Sequence, residues 1–219
     1  MIDYPGKLCA VIFTRGCNLR CPFCHNPSLV LPEKYTELLS IEDLFAFLST
    51  RIGKLDAVSI TGGEPLLQDD IGEIIRKIKE MGFLVKIDTN GTHPEKLKVL
   101  IESSSPDYIA MDIKAYRDSF IKASGGFAGY DKMLESMEIV RASNSLYEFR
   151  TTIVKGIHSV KDIEKCIELI KPGESYFLQQ FQSAETLNPD YRFAHGLDNE
   201  DIQFLQHKAM ESGIKITIR

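Results

Sequence analysis

Short apolar runs alternate with amphipathic stretches along most of this chain. Runs of about five apolar residues predict buried strands, and apolar residues spaced three and four apart predict helices with one buried face. Strands are predicted at residues 8–13, 57–61, 84–88, 108–112, 148–154, 176–180 and 215–218. Helices are predicted at residues 40–52, 70–81, 94–102, 132–142, 160–170 and 200–212, with a glycine-containing loop between residue 112 and residue 132.

Local signals support several of these helix ends. Ser40 can cap the first predicted helix, because Asp43 follows three residues later. Gly82 follows the helix at residues 70–81, and glycine commonly ends a helix. Pro94 stands at a helix start, where its missing N–H costs nothing.

Strands that alternate with helices imply right-handed crossovers and a mostly parallel sheet. Six such units are too few for the eight-fold barrel, so the predicted fold is α/β, a partial open (βα)6 barrel formed by one domain over residues 1–219. Ligand sites in such folds lie at the carboxyl ends of the strands. The polar and glycine-rich segments of this chain fall at those ends.

Composition narrows the classes of partner. No apolar run approaches the roughly 20 residues that cross a bilayer, and the first residues carry no signal-peptide pattern, so a cytoplasmic protein is expected. The chain has 26 Lys and Arg residues and 31 Asp and Glu residues, a net charge of −5. An acidic chain favours a protein or small-molecule partner over nucleic acid, and no membrane partner is expected.

Three of the five cysteines lie within one segment. Cys17, Cys21 and Cys24 have the spacing C-x-x-x-C-x-x-C in a loop predicted at residues 14–27, whereas Cys9 and Cys166 fit a strand and a helix as small core residues. The crowded thiols predict a metal or iron–sulfur site. A structural zinc site needs a fourth ligand, which His25 or Cys9 would supply; a four-iron cluster held by three cysteines would leave one iron open.

Polar residues follow several predicted strands. The segment 61–65 (Thr-Gly-Gly-Glu-Pro) follows the second strand, Asp88 to Gly91 follow the third, and Asp112 and Lys114 follow the fourth. Each segment alone is explained equally by turn chemistry. Arg150 lies inside the fifth strand, where a buried cation requires an anionic partner and an exposed one does not.

The segment 16–27 (Gly-Cys-Asn-Leu-Arg-Cys-Pro-Phe-Cys-His-Asn-Pro) resembles the cluster motif of radical S-adenosylmethionine (SAM) enzymes. The Cys-His-Asn ending resembles the activases of glycyl radical enzymes, particularly the family that activates anaerobic ribonucleotide reductase. The resemblance runs from residue 2 to the final strand. It implies a [4Fe–4S] cluster on Cys17, Cys21 and Cys24, with SAM at the open iron. It also implies a glycyl radical enzyme as partner and a flavodoxin- or ferredoxin-type electron donor.

The same resemblance implies roles for individual residues. Gly62, Gly63 and Glu64 would hold the methionine amino group, and Lys114 and Arg150 would face its carboxylate. Asp3 would help to anchor the glycyl-loop substrate, and Gln182 stands where the pyruvate formate-lyase activase has a histidine near adenine. Further cofactor contacts are implied for Phe23, His25, Thr61, Asp88, Asn90 and Asp112, and a monovalent cation for Asp88, Thr89, Asp112 and the Ala110 carbonyl.

Two alternatives remain open from the sequence. One is a radical SAM enzyme of the tRNA-modification branch that makes a deazaguanine precursor, although its motif carries a Trp and this chain has none. The other is a non-catalytic zinc-binding protein. His158 is predicted to be a loop histidine without a role in the site.

Overall fold

The computed structural model describes residues 3–219, so Met1 and Ile2, which begin the predicted domain and the resembling segment, lie outside the described residues. Seven strands occur in residues 3–219: β1 Cys9–Thr14, β2 Ala57–Gly62, β3 Leu84–Thr89, β4 Tyr108–Asp112, β5 Leu146–Ile153, β6 Tyr176–Gln180 and β7 Ile216–Ile218. The helices in the same residues are α1 Pro27–Val30, α2 Ile41–Ser49, α3 Ile71–Glu80, α4 Pro94–Ser104, α5 Arg117–Ala123, α6 Tyr130–Arg141, α7 Val160–Ile167 and α8 Asn199–Glu211.

All seven strands pair in parallel, and their order in the sheet is the order of the chain. Strands β1 and β7 therefore form the two edges. Because right-handed crossovers between successive neighbours place every helix on the same side, the sheet curves with its helices outside. The predicted α/β class and partial open barrel are confirmed.

Alternate strand residues divide between two faces of the sheet. The apolar set faces the helices and forms the main core, which contains Val58, Ile60, Val85, Ile87, Ile109, Met111 and Phe149 from the strands and Ile75, Leu97, Met133, Ile163 and Leu205 from the helices. The intervening positions on β3, β4 and β5 carry polar groups, among them Lys86, Asp88, Asp112, Glu148 and Arg150. The concave face of the barrel is therefore strongly charged.

Most predicted elements occur, with ends that differ by a few residues. Strands β4 and β6 have the predicted bounds, and Ser40 caps α2 by accepting a hydrogen bond from the Asp43 N–H. The segment predicted as a loop between residues 112 and 132 instead contains α5. This short helix buries Phe120 and Ala123, and nearby Gly125 and Gly126 hid it by suggesting a continuous loop.

Candidate functional site

A cavity of about 220 Å³ opens at the carboxyl ends of the strands. Its lining contains most of the residues that the sequence singled out: Cys17, Cys21, Phe23, Cys24, His25, Thr61, Gly62, Gly63, Glu64, Asp88, Thr89, Asn90, Asp112, Lys114 and Arg150. Leu19, Asn26, Val30 and Thr152 complete it. Residues from β1, β2, β3, β4 and β5 and their following loops thus converge on one space.

The cysteine loop is held in place by backbone hydrogen bonds to segments far along the chain. The Arg20 N–H donates to the Ser124 carbonyl (3.0 Å), just after α5. On the other side, the Leu187 N–H donates to the Cys24 carbonyl and the Asn188 N–H to the Pro22 carbonyl (both 2.9 Å). The loop that carries the three thiols is therefore closed from both sides.

The thiols have a chemistry that suits a cluster loaded after folding. Burial raises the pKa of Cys21 to about 11, against the opposing effect of Lys114. Burial also raises the pKa of Cys17, although the Leu19 N–H, 3.4 Å from its Sγ, opposes this. Both are thiols at neutral pH, so metal binding there must release protons. The donor set of three free cysteines on one cavity fits an iron–sulfur cluster.

A single metal ion requires a different arrangement. Among residues 3–219, no group of three or more His, Cys, Asp or Glu side chains is placed to hold one ion. A cluster distributes its cysteine ligands over separate iron atoms, so its thiols do not have to meet at one point. The converging geometry that the zinc alternative needs is not present in that part of the chain.

Two glycines join the cysteine loop to the end of β2. The Gly63 N–H donates to the Thr14 carbonyl (2.9 Å) and the Glu64 N–H to the Gly16 carbonyl (2.8 Å). A Cβ on Gly63 would lie 1.9 Å from the Gly16 oxygen, and Gly62 has a φ of +115°. Only glycine allows this approach, which leaves bare backbone at the cavity wall.

The Glu64 carboxylate ties β2 to β3. It accepts hydrogen bonds from the Thr89 hydroxyl (2.8 Å), the Asn90 N–H (2.7 Å) and the Leu66 N–H (3.2 Å), and the residue is 1% exposed. Burial raises its pKa to about 7, although these three donors act in the opposite direction. Glu64 is thus a buried acid at the cavity wall that titrates near neutral pH.

A chain of ion pairs forms the charged wall of the cavity. The Arg150 guanidinium bridges Asp88 (3.3 Å) and Asp112 (2.9 Å), and the Lys114 ammonium contacts Asp112 at 2.9 Å. Burial alone would raise the pKa of Asp112, but Arg150 and Lys114 reverse this and hold it well below its usual range. Arg150 is therefore paired inside the barrel, as the buried alternative from the sequence required.

Three residues singled out by the sequence lie elsewhere. Asp3 is exposed, and the adjacent Tyr4 packs on Ala57 and Tyr108 at the amino ends of β2 and β4, opposite the cavity. Gln182 is exposed and not in the cavity lining; its neighbour Phe181 is buried with its ring 4.7 Å from that of His25. Ala110 lies inside the sheet, paired with β3 and β5, and is also not in the lining.

Sequence reasoning also missed supporting residues. His158 is buried, its Nδ1 accepts the Val154 N–H (3.0 Å), and its Nε2 lies 2.8 Å from the Lys114 carbonyl. Burial lowers its pKa, so a neutral ring fixes the backbone of Lys114. Lys86 precedes Asp88 on the same face of β3 and pairs with it. Strand alternation, already used for Arg150, was the signal that could have identified Lys86.

Comparison with known proteins agrees with this geometry. The family model described as the Radical SAM superfamily matches residues 11–170. A Methanocaldococcus jannaschii protein, provisionally named a glycyl-radical enzyme activating enzyme, is 39% identical over 196 residues, covering 87% of this chain and 80% of that protein. The pyruvate formate-lyase-activating enzyme of Clostridium pasteurianum is 28% identical over 238 residues, covering 98% of this chain and 93% of the relative.

A solved structure supports the fold alone. The crystal structure of a radical SAM methyltransferase from Sphaerobacter thermophilus superposes with a TM-score of 0.74 at 16% identity, covering 99% of this chain and 67% of that one. No helix in residues 3–219 is long and apolar enough to span a membrane.

Proposed function

This chain belongs to the radical SAM superfamily, and from that premise we propose that it activates a glycyl radical enzyme by means of a [4Fe–4S] cluster and SAM bound in the cavity. The observation that carries the proposal is the convergence of three free thiols, a glycine-lined backbone edge and a cationic wall on one cavity. A cluster needs the first, a methionine amino group the second, and a methionine carboxylate the third.

Each part of the cavity has a separate task in this proposal. Cys17, Cys21 and Cys24 hold the cluster through their thiolates. The Gly62–Gly63 backbone offers its polar groups to the ammonium of SAM, and Lys114 with Arg150 places positive charge beside its carboxylate. When bound, the cluster and SAM supply a one-electron cleavage that yields methionine and a 5′-deoxyadenosyl radical.

The surrounding residues protect that chemistry. Leu19 and Phe23 are buried apolar residues of the cavity lining, and Val30 covers another side. They exclude water from a space in which an unshielded radical would be lost by side reactions. The ring of His25, stacked near Phe181, provides an aromatic surface at the same rim, suited to the adenine.

We propose a glycine Cα–H on a large partner enzyme as the hydrogen donor. The names of the two relatives support this class of partner, an anaerobic ribonucleotide reductase or a related glycyl radical enzyme. A flavodoxin- or ferredoxin-type protein is the proposed electron donor.

The cofactor chemistry is tested first. Protein purified and reconstituted without oxygen should be brown, contain iron and sulfide, and form 5′-deoxyadenosine from SAM after addition of dithionite. Serine variants of Cys17, Cys21 and Cys24 should lose both properties, while the matched control Cys9→Ser, outside the cavity lining, should retain them. Stoichiometric zinc without sulfide, or a reduced cluster that leaves SAM intact, would contradict the proposal.

The partner is tested second. The loaded protein, SAM and reductant are mixed with an anaerobic ribonucleotide reductase, and electron paramagnetic resonance should show a glycyl radical on the partner. Radical formation on none of a set of glycyl radical enzymes, with normal 5′-deoxyadenosine formation, would instead favour a small-molecule substrate such as a deazaguanine precursor.

A further inference from the structure

Lys86 is a buried lysine behind the charged wall of the cavity. Its side chain is 1% exposed and lies on the concave face of β3, two residues before Asp88. The Lys86 ammonium pairs with Oδ1 of Asp88, while Arg150 contacts Oδ2 of the same carboxylate. A buried lysine is costly unless it is paired, so Asp88 is its compensating group.

Every side-chain oxygen in the candidate cation set already has a protein donor. Asp88 is engaged by Lys86 and Arg150, and Asp112 by Arg150 (2.9 Å) and Lys114 (2.9 Å), one donor for each oxygen. The Thr89 hydroxyl donates to Glu64 (2.8 Å) and accepts from the Gly91 N–H (3.2 Å). Ala110, the remaining member, is not in the cavity lining.

The charge balance also opposes a bound alkali ion. Three fixed cationic groups face two carboxylates, so the wall already carries a net positive charge. The remaining carboxylate lone pairs lie next to ammonium and guanidinium groups, which repel a further cation at this range. The residues present therefore do not fit a monovalent cation.

We propose that the Lys86 ammonium takes the place of an alkali cation in this protein. It neutralises Asp88 from behind the wall, so that Asp88 can hold Arg150 toward the cavity. Lys86 acts through Asp88 and Arg150 and is a positioning residue. SAM binding in this protein is accordingly independent of sodium and potassium. The cation-binding arm of the test stands without the proposed function, and only the SAM-affinity arm rests on it.

The first arm measures cation binding directly. Relaxation of ²³Na by NMR is recorded with the anaerobically purified protein and with Lys86→Met, which keeps the side-chain length and removes the charge. The wild-type protein should show no saturable component that potassium displaces, and Lys86→Met should gain one. Lys79→Met is the matched control, because it removes a lysine from an ion pair outside the cavity, with Asp107 at 3.0 Å. A potassium-displaced site in the wild type, or none in Lys86→Met, would overturn the proposal.

The second arm measures SAM affinity of the reconstituted protein by calorimetry, in tetramethylammonium, sodium or potassium chloride at equal ionic strength. The wild-type dissociation constant should vary less than about twofold, whereas Lys86→Met should weaken about tenfold in tetramethylammonium and recover in potassium. A purely structural lysine would give a loss that alkali ions do not restore, and that result contradicts the proposal. If Lys86→Met does not fold, the wild type and Lys86→Arg decide, since both must be indifferent to alkali.

Discussion

At the scale of single residues, Glu64 links stability to pH. Its folded-state pKa of about 7 lies above the ordinary 4.5, chiefly because the carboxyl is buried. The folded protein then holds a proton that the unfolded chain releases, so this contribution to stability is complete below pH 4.5 and is lost as the pH rises through 7. Between those values the free energy of unfolding of the unloaded protein should fall by about 3 kcal/mol on account of Glu64.

Urea unfolding at several pH values, compared with Glu64→Gln, measures this effect. The variant should be less stable throughout because an amide N–H₂ meets backbone donors, but its curve should lack the extra decline between pH 4.5 and 7. Glu135→Gln, on the exposed side of α6, controls for the loss of one carboxylate. Parallel curves for the wild type and Glu64→Gln would contradict the burial argument.

Asn90 provides a hydrogen bond to a cluster ligand. Its side-chain amide lies 3.9 Å from Cys17 Sγ, while its Oδ1 accepts from the Thr92 N–H (3.0 Å). Hydrogen bonds to cysteine sulfur raise the reduction potential of an iron–sulfur cluster. Asn90→Asp keeps the oxygen, removes the N–H donor and adds negative charge, so the midpoint potential should fall. Redox titration followed by electron paramagnetic resonance measures it, and an unchanged or higher potential would refute the role.

At the scale of elements, the junction between the cysteine loop and β2 depends on Gly63. An alanine Cβ there would collide with the Gly16 carbonyl at 1.9 Å. Gly63→Ala should therefore lower the free energy of unfolding by about 1–3 kcal/mol, as overpacking does, and abolish SAM binding. Gly72→Ala, in the first turn of α3 with neighbours no closer than 3.7 Å, should be neutral or stabilising. Equal effects of the two changes, measured by urea unfolding and calorimetry, would exclude the contact as the cause.

The elements themselves were predictable from the sequence, and their junctions were not. Period-two and period-3.6 patterns located every strand, and the Ser40 cap was identified correctly, because these signals are local. Helix α5 was missed because its seven residues are few turns and two glycines follow it. The contact of Gly63 with Gly16 depends on how two loops meet in space, which no local pattern contains.

At the scale of the whole molecule, Gly125 connects the α5–α6 segment to the cysteine loop. Its Cβ would lie 1.9 Å from the Arg20 carbonyl oxygen, whereas a Cβ on neighbouring Gly126 would meet nothing within 4 Å; both have a positive φ. Gly125→Ala should therefore loosen the loop and increase the rate of thiol labelling at Cys21 about tenfold, the effect of about 1.4 kcal/mol. Gly126→Ala carries comparable backbone strain and should not. Similar labelling rates in both variants, followed by mass spectrometry, would contradict this.

Fold class and most of the cavity lining followed from the sequence because parallel strands bring their carboxyl ends to one edge. Arg150 and Asp112 were placed there by strand position alone. The assignments of Asp3 and Gln182 rested on resemblance, and the structure does not bring either residue to the cavity. Their positions depend on how the segments before β1 and after β6 pack, which strand periodicity does not determine.

The hydrogen bonds that close the cysteine loop also set an order of events during synthesis. The thiols emerge from the ribosome early, but Leu187 and Asn188, which close the second side, emerge near the end of the chain. At 5–20 residues per second, roughly 8–30 s separate Cys24 from Leu187. During that interval the cysteines are reachable by a metal-delivery protein or by an oxidant. The enclosure that protects the finished centre is therefore the last part of it to form.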